Sequence, residues 1–331
     1  MKALLILSLF FVLGVTDTAS AQQRGIYSNF LLNDFYYNPA IAGSKGVHKA
    51  NISYRNQWVG FEGAPSLIIG NFNGSYKNEG KLGYGVTLLS ETTGITQNTG
   101  AYLNYAHHFK LSDKYKLGLG VQPGYMQYRV KLYDAQLADQ GDEVLSGSIY
   151  SATAIDVSAG FHFYSENFFL MGAMHRMLSR NIQFTTYNDN LEFHYTGVVG
   201  YTMHLNSDPK KKKMPIDIQP SALIRYVKPL PVQYSIMVKA TFDKKYWGGL
   251  IFRSDDAIGL TLGMQIGEKF NVGYGFDYTY SGLSSYQAGS HEIMLSYVIS
   301  RKKPSLNDKD DELNKSIIED LQKSIEENKK R

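Results

Sequence analysis

Ile258-Gly259-Leu260-Thr261-Leu262-Gly263-Met264-Gln265-Ile266, then Phe270-Asn271-Val272-Gly273-Tyr274-Gly275-Phe276-Asp277-Tyr278-Thr279-Tyr280, is the stretch that decides how this chain folds. Every even position in both runs is bulky and apolar or aromatic. The odd positions are Gly, Thr, Gln, Asn or Asp. A period of two puts alternate side chains on opposite faces of a strand, so each run has one face for oil and one that tolerates water. Gly267-Glu268-Lys269 between them reads as a tight turn.

The same pattern extends upstream. Phe193, Tyr195, Val199, Tyr201, Met203 and Leu205 alternate with His194, Thr196, Gly200, Thr202 and His204. Segments of this kind fall near 47–58, 65–76, 82–90, 98–109, 116–129, 153–164, 168–176, 191–205, 216–226, 232–242, 246–253, 257–266, 270–280 and 290–300. That is about fourteen strands, an even number of the kind single-chain bacterial barrels have. Several exceed the usual soluble strand of about 5 to 6 residues and match the roughly 9 to 11 that cross a bilayer. A soluble sandwich would show the same alternation, but it would bury the bulky positions between two sheets. Strand length and turn asymmetry favour the all-β, single-chain transmembrane antiparallel barrel. If the first strand rises from the periplasm, the connections at 77–81, 110–115, 165–167, 206–215, 243–245 and 267–269 lie on that side and are mostly short. The longest, 130–152 and 177–190, fall together on the other side, as in outer-membrane barrels. Tyr54, Trp58, Tyr76, Tyr115, Tyr128, Tyr164, Tyr226, Tyr246, Trp247 and Tyr297 sit near segment ends, where interfacial girdles are expected. Gly118, Gly120, Gly124, Gly263, Gly273 and Gly275 occupy the lumen-facing parity, where close packing needs no side chain.

Composition agrees. The chain of 331 residues holds Tyr 25, Phe 17 and Gly 31 against Pro 9 and no cysteine, a strand-rich and aromatic-rich inventory. The lack of cysteine excludes disulfides, thiolate metal sites and cysteine nucleophiles. A net charge of +4, arising partly from Lys210 to Lys213 in a solvated turn, does not argue for nucleic acid. His107, His108, His162, His175, His194 and His204 lack helix-based metal spacing and read as hydrogen-bonding groups of the lumen; no cofactor or metal is expected. No catalytic constellation converges, although Asp255-Asp256 and His175 lie near one rim, so no enzyme activity is expected.

The ends of the chain read differently from its middle. Lys2, the apolar run Ala3 to Val15 and Ala19-Ser20-Ala21 form a cleavable secretory signal over 1–21. Residues 22–46 read as an N-terminal periplasmic segment, 47–301 as the barrel and 302–331 as a charged periplasmic tail. In the tail Leu313, Ile317, Leu321 and Ile325 recur at helical spacing, which suggests a short amphipathic helix docking on a periplasmic partner. Both termini are then expected in the periplasm of a diderm bacterium, with the barrel in outer-membrane lipid.

Two short elements precede or join the first strands. Asn38-Pro39-Ala40-Ile41-Ala42-Gly43 begins as a turn, since the residue before proline is pushed out of the helical region and Gly43 is free to take positive φ. Gln57-Trp58-Val59-Gly60-Phe61-Glu62-Gly63-Ala64-Pro65 reads as a tight corner between the first two strands. Together these elements, and the run from the barrel to His291-Glu292-Ile293-Met294-Leu295-Ser296-Tyr297, resemble the PorP/SprF family of type IX secretion system membrane proteins, with its NPAxAG and QWxGFxGAP elements. The resemblance implies a barrel that supports type IX export or gliding, or the delivery and surface attachment of a large secreted protein or adhesin. It makes Asn38, Pro39, Ala40, Ala42, Gly43, Gln57, Trp58, Gly60, Phe61, Gly63, Ala64 and Pro65 candidates either for partner contact or for shaping the first hairpin. A passive porin-like channel is the competing reading.

Overall fold

The computed structural model describes residues 27–76, 80–131, 149–178, 181–183, 188–190, 192–206, 214–282 and 284–300. The wall strands are β1 (His48–Asn56), β2 (Ser66–Ser75), β3 (Leu82–Thr93), β4 (Thr96–Lys110), β5 (Lys116–Lys131), β6 (Ile149–Tyr164) and β7 (Phe168–His175). They continue, after a two-strand outlying hairpin of β8 (Asn181–Gln183) and β9 (Asn188–Asn190), with β10 (His194–Tyr201) and β11 (Met203–Leu205), which act as one strand interrupted at Thr202. β12 (Ile216–Val227), β13 (Gln233–Phe242), β14 (Tyr246–Arg253), β15 (Ala257–Ile266), β16 (Phe270–Thr279) and β17 (Ser290–Ser300) complete the wall. Each wall strand pairs antiparallel with its neighbours, and β1 pairs with β17, so the sheet closes as a 14-strand barrel. Closure removes the free edge that a bilayer cannot satisfy.

The alternation read from the sequence sets the two faces of this wall. Ile155, Leu103 and Leu250 point outward and are 69%, 66% and 63% exposed, whereas Thr261 and Glu292 on the inward parity are 0% exposed. A sandwich would reverse this. Three of the expected girdle aromatics, Tyr128, Tyr164 and Trp247, lie on the inward parity instead; Trp247 covers the inward glycines Gly263 and Gly273, where an added Cβ would strike its ring. Pro123 in β5 has no N–H to give, and the register with β4 skips from Tyr102↔Gly124 to Tyr105↔Val121. On the inside of that gap Gln122 Nε2 donates to Asn104 Oδ1 at 2.8 Å.

The long connections share one rim, here the loop rim, and the hairpins at 111–115, 165–167, 243–245 and 267–269 share the other, the turn rim. β1 starts and β17 ends at the turn rim, His48 lying opposite Ser300. The hydrophobic core sits where the sequence reading did not place it: inside the barrel. From Tyr27 onward the stretch read as a segment ahead of the barrel fills the lumen, with Tyr27, Phe30, Phe35, Tyr36, Tyr37, Ala40 and Ala42 all buried. It forms the single-turn helix α1 (Asp34–Tyr37), then a 3-10 turn over Pro39–Ile41, before Gly43 and Gly46 turn the chain into β1 with φ of 75° and 63°. Lys210 to Lys213 and the proposed signal and tail, with Leu313, Ile317, Leu321 and Ile325, lie outside the described residues.

Candidate functional site: a lumen closed by residues 27–43

Near the loop rim the inward parity of four strands brings charged side chains together: Arg55 at the end of β1, Arg253 at the end of β14, Asp277 in β16 and Glu292 in β17. Arg55 Nη2 lies 2.6 Å from Asp277 Oδ2, and its Nη1 is 3.4 Å from Glu292 Oε2. Arg253 bridges Asp256 at 2.6 Å and Asp277 at 3.4 Å. Ser28 of the N-terminal segment sits in the middle. Its Oγ accepts from Arg55 Nη1 and from Arg253 Nη2, each at 2.8 Å, and donates to Asp277, which uses the full capacity of a hydroxyl. Its backbone N–H donates to Glu292 Oε2 at 2.8 Å, and that of Asn29 donates to Glu292 Oε1 at 3.3 Å. Two guanidiniums and two carboxylates thus form a clamp on one serine. Such charge-assisted bonds fix geometry more surely than they add net stability, because burying the ions is itself expensive.

Beyond the clamp, Tyr27 and Tyr37 lock the segment to itself. The Tyr27 N–H donates to the Tyr37 hydroxyl at 2.9 Å, and that hydroxyl donates to the Tyr27 carbonyl at 3.0 Å. Burial pushes the Tyr37 phenol up to about 12, so it keeps the proton this bond needs. Tyr27 in turn donates to the Ser53 carbonyl at 3.3 Å and the Leu67 carbonyl at 3.2 Å. Asn33 Nδ2 donates to Ser53 Oγ at 3.2 Å, and Asn51 Nδ2 donates to Asn33 Oδ1 at 3.1 Å, which ties the segment to β1 below the clamp.

The Asn38-Pro39-Ala40-Ile41-Ala42-Gly43 element is the lower half of this plug. The Asn38 side chain accepts from Ala40 N at 2.8 Å and donates to the carbonyls of Phe161 at 2.7 Å and Gly172 at 3.1 Å, so it caps the turn and ties it to β6 and β7. Pro39 opens the 3-10 turn at a position that needs no N–H. Ala40 lies on Gly118 and Gly120, where any Cβ would meet its backbone, and a Cβ on Gly83 would overlap the Ala42 carbonyl. His108 Nε2 lies 2.7 Å from the Ala42 carbonyl, and His175 Nε2 lies 3.1 Å from that of Tyr37. Two of the histidines read as lumen hydrogen-bonders therefore hold the plug, whereas His204 pairs with Asp217 on an exposed part of the wall. Asp34 is raised by burial, but Lys45 at 2.9 Å and then Lys49 outweigh this and hold its carboxyl below the ordinary range.

The second element is elsewhere. Gln57 to Pro65 stands at the loop rim, held by Gln57 N to the Pro65 carbonyl at 2.9 Å, Val59 N to the Gly289 carbonyl at 2.8 Å and Trp58 N to Ser290 Oγ at 3.1 Å. Gly60 and Gly63 take φ of 94° and 71°, and Phe61 at the tip is exposed. The two motif elements are not one site: the first is buried in the lumen and the second is displayed on a rim. Sequence reasoning missed the plug's upper half, Tyr27 to Tyr37, and the clamp. The signal for the clamp was present in Arg55, Arg253, Asp277 and Glu292, charges on the inward parity at one end of four strands. Among the described residues no group of His, Asp and Glu has the arrangement to hold a metal ion.

A closed wall with an apolar outside and a lumen occupied by its own chain defines an outer-membrane β-barrel with an internal plug. The chain belongs to the family described as type IX secretion system membrane protein PorP/SprF, which matches residues 19–297. No curated protein matches it by sequence. Among solved structures it is similar in fold to the CymD monoaromatic hydrocarbon channel, at 8% identity over 86% of this chain and 95% of that one, with a TM-score of 0.48. It is also similar to the outer membrane protein Omp33 of Acinetobacter baumannii, at 9% identity over 78% and 100%, TM-score 0.43. A FadL homologue of Pseudomonas aeruginosa matches at 9% identity over 79% and 91%, TM-score 0.42.

Proposed function

We propose that this barrel is a non-enzymatic platform of the type IX secretion or gliding machinery, supporting export or surface attachment of a secreted partner protein or adhesin. The observation that carries the reading is the clamped plug. A lumen occupied by residues 27–43, each turn of it bonded to the wall, makes a rigid support rather than an open conduit, which weighs against the porin-like alternative. The displayed corner at Trp58 to Pro65, with Phe61 exposed, supplies a contact surface for the partner at the loop rim. In this reading the loop rim faces outward and the C-terminal tail, leaving Ser300 at the turn rim, meets a periplasmic partner through Leu313, Ile317, Leu321 and Ile325. The test is deletion of the gene, with surface proteins catalogued and the purified barrel pulled down from detergent extracts. Loss of a particular surface protein, and its recovery with the barrel, is the expected outcome. An unchanged surface together with steady ohmic conductance in planar bilayers would select the porin. Removal of residues 305–331 with no loss of complex formation would dismiss the docking role of the tail.

A further inference from the structure

At the turn rim the lumen is not filled. A cavity of about 190 Å³ lies between the plug residue Leu32 and the inner wall of β1, β13, β14, β16 and β17. Lys49 of β1 and Lys239 of β13 line it, and Lys244 and Lys245 of the β13–β14 hairpin stand at its mouth. Among the described residues no Asp or Glu lines this chamber. The nearby carboxylates are already engaged, Asp34 with Lys45 at 2.9 Å and Asp217 with His204 at 2.6 Å. A second observation is independent of the lysines. Trp247, only 7% exposed, also lines the chamber, and its indole Nε1 is buried without a hydrogen-bond partner.

An ammonium group and an indole N–H can donate hydrogen bonds but cannot accept them. Lys49 and Lys239 therefore put two cationic donors into a chamber whose other polar lining, Thr241, Asn271 and Ser296, is neutral, and its complement is an anion. The two inward ammonium groups of Lys49 and Lys239 match a dianion better than a single carboxylate; a phosphate monoester carries about 1.5 to 2 negative charges near neutral pH. The chamber is large enough for a phosphate group with attached atoms, and the exposed lysines at the mouth would draw anions in. We propose that this cavity is a binding site for a phosphate-monoester group, held by Lys49 and Lys239.

The test uses the full-length protein purified in phosphate-free zwitterionic detergent at low ionic strength, titrated with inorganic phosphate and read by calorimetry and tryptophan emission. Saturable binding is expected, weakened at least tenfold in a Lys49→Gln/Lys239→Gln variant whose folding is checked by heat-modifiable gel mobility. Lys239→Arg, which keeps the charge, is expected to retain binding, so a loss there and in the double variant alike with intact folding counts against the assignment. Nanodiscs then separate the sources. Phosphate binding that is blocked by phosphatidic acid but not by phosphatidylcholine identifies a lipid headgroup as the ligand, whereas equal binding in both identifies a soluble phosphate ester. Absence of a saturable response to inorganic phosphate and to phosphatidic acid overturns the proposal. Undiminished binding in the double variant, or equal binding of succinate, overturns it as well.

Discussion

The two ends of the lumen handle buried charge in opposite ways. At the loop rim Arg55 and Arg253 meet Asp277 and Glu292 within 2.6 to 3.4 Å, and Ser28 of the plug joins them. At the turn rim Lys49 and Lys239 face a cavity with no carboxylate in its lining among the described residues. Buried ions are expensive wherever they are placed, so the difference is one of purpose: the first end spends its charges on holding its own chain, and the second leaves donors open. If that contrast is real, removing a charge should have opposite consequences at the two ends.

The largest effect is expected at the clamp. Asp277→Ala leaves Arg55 and Arg253 without their shared carboxylate, and breaking a buried pair from one side costs about 3–5 kcal/mol. Urea unfolding in detergent should show a loss of that size, and planar-bilayer recordings should show new conductance as the upper plug loosens. Unchanged stability and conductance would mean that the clamp holds nothing. Next in size is the lower plug, where contact is steric rather than ionic. Gly83→Ala places a methyl on the Ala42 carbonyl, and overpacking of this kind costs about 1–3 kcal/mol. Its signature should be faster proteolysis within residues 38–43 of the folded barrel, with the clamp intact.

Much of the barrel was legible in the sequence because strand periodicity is a local property. Ile258 to Tyr280 announces its two faces residue by residue, and β12 to β17 lie within a residue or two of where alternation puts them. The plug was not legible, because Phe30 to Ile41 has neither strand nor helix period; it is shaped by the wall that surrounds it. Its aromatic residues, unusual for a segment expected in water, were the available sign. The inward glycines gave half of the answer. Gly118 and Gly120 pointed to close packing, but only the folded chain supplies the partner, which is the backbone of Ala40. The aromatics at strand ends illustrate the limit of position without parity: Tyr226 and Tyr246 are exposed on the outer face, whereas Trp247, one residue on, lies against the chamber.

The turn rim should respond in the other direction. Lys239→Met removes an inward ammonium that has no carboxylate partner in the chamber lining and keeps most of the side-chain volume. In phosphate-free buffer it is expected to leave stability unchanged or to raise it by about 1 kcal/mol, since an isosteric apolar residue escapes the cost of desolvating the charge. The same replacement at Arg55 should destabilise. A matched loss at both positions, measured side by side by urea unfolding, would erase the contrast between the ends.

The smallest effect concerns the ion pair of the plug residue Asp34 with Lys45. Asp34 titrates below its ordinary value in the folded protein, so the pair's contribution is present above the unfolded carboxylate pKa of about 3.9 and is lost as pH falls through the lowered value. Lys45 is raised by Asp34, so its share is present below the unfolded lysine pKa of about 10.4 and is lost only as pH rises through a still higher value. Stability from this pair should therefore be flat between those limits. Because the Lys45 side chain is 61% exposed, solvent screens the pair and its worth is at most about 1 kcal/mol. Asp34→Asn should remove the acid-side loss belonging to this pair while leaving the rest of the acid transition in place. Were Asp34→Asn to shift the whole transition, the seat of the plug would lie at the turn rim and the division of labour between the two ends would have to be reversed.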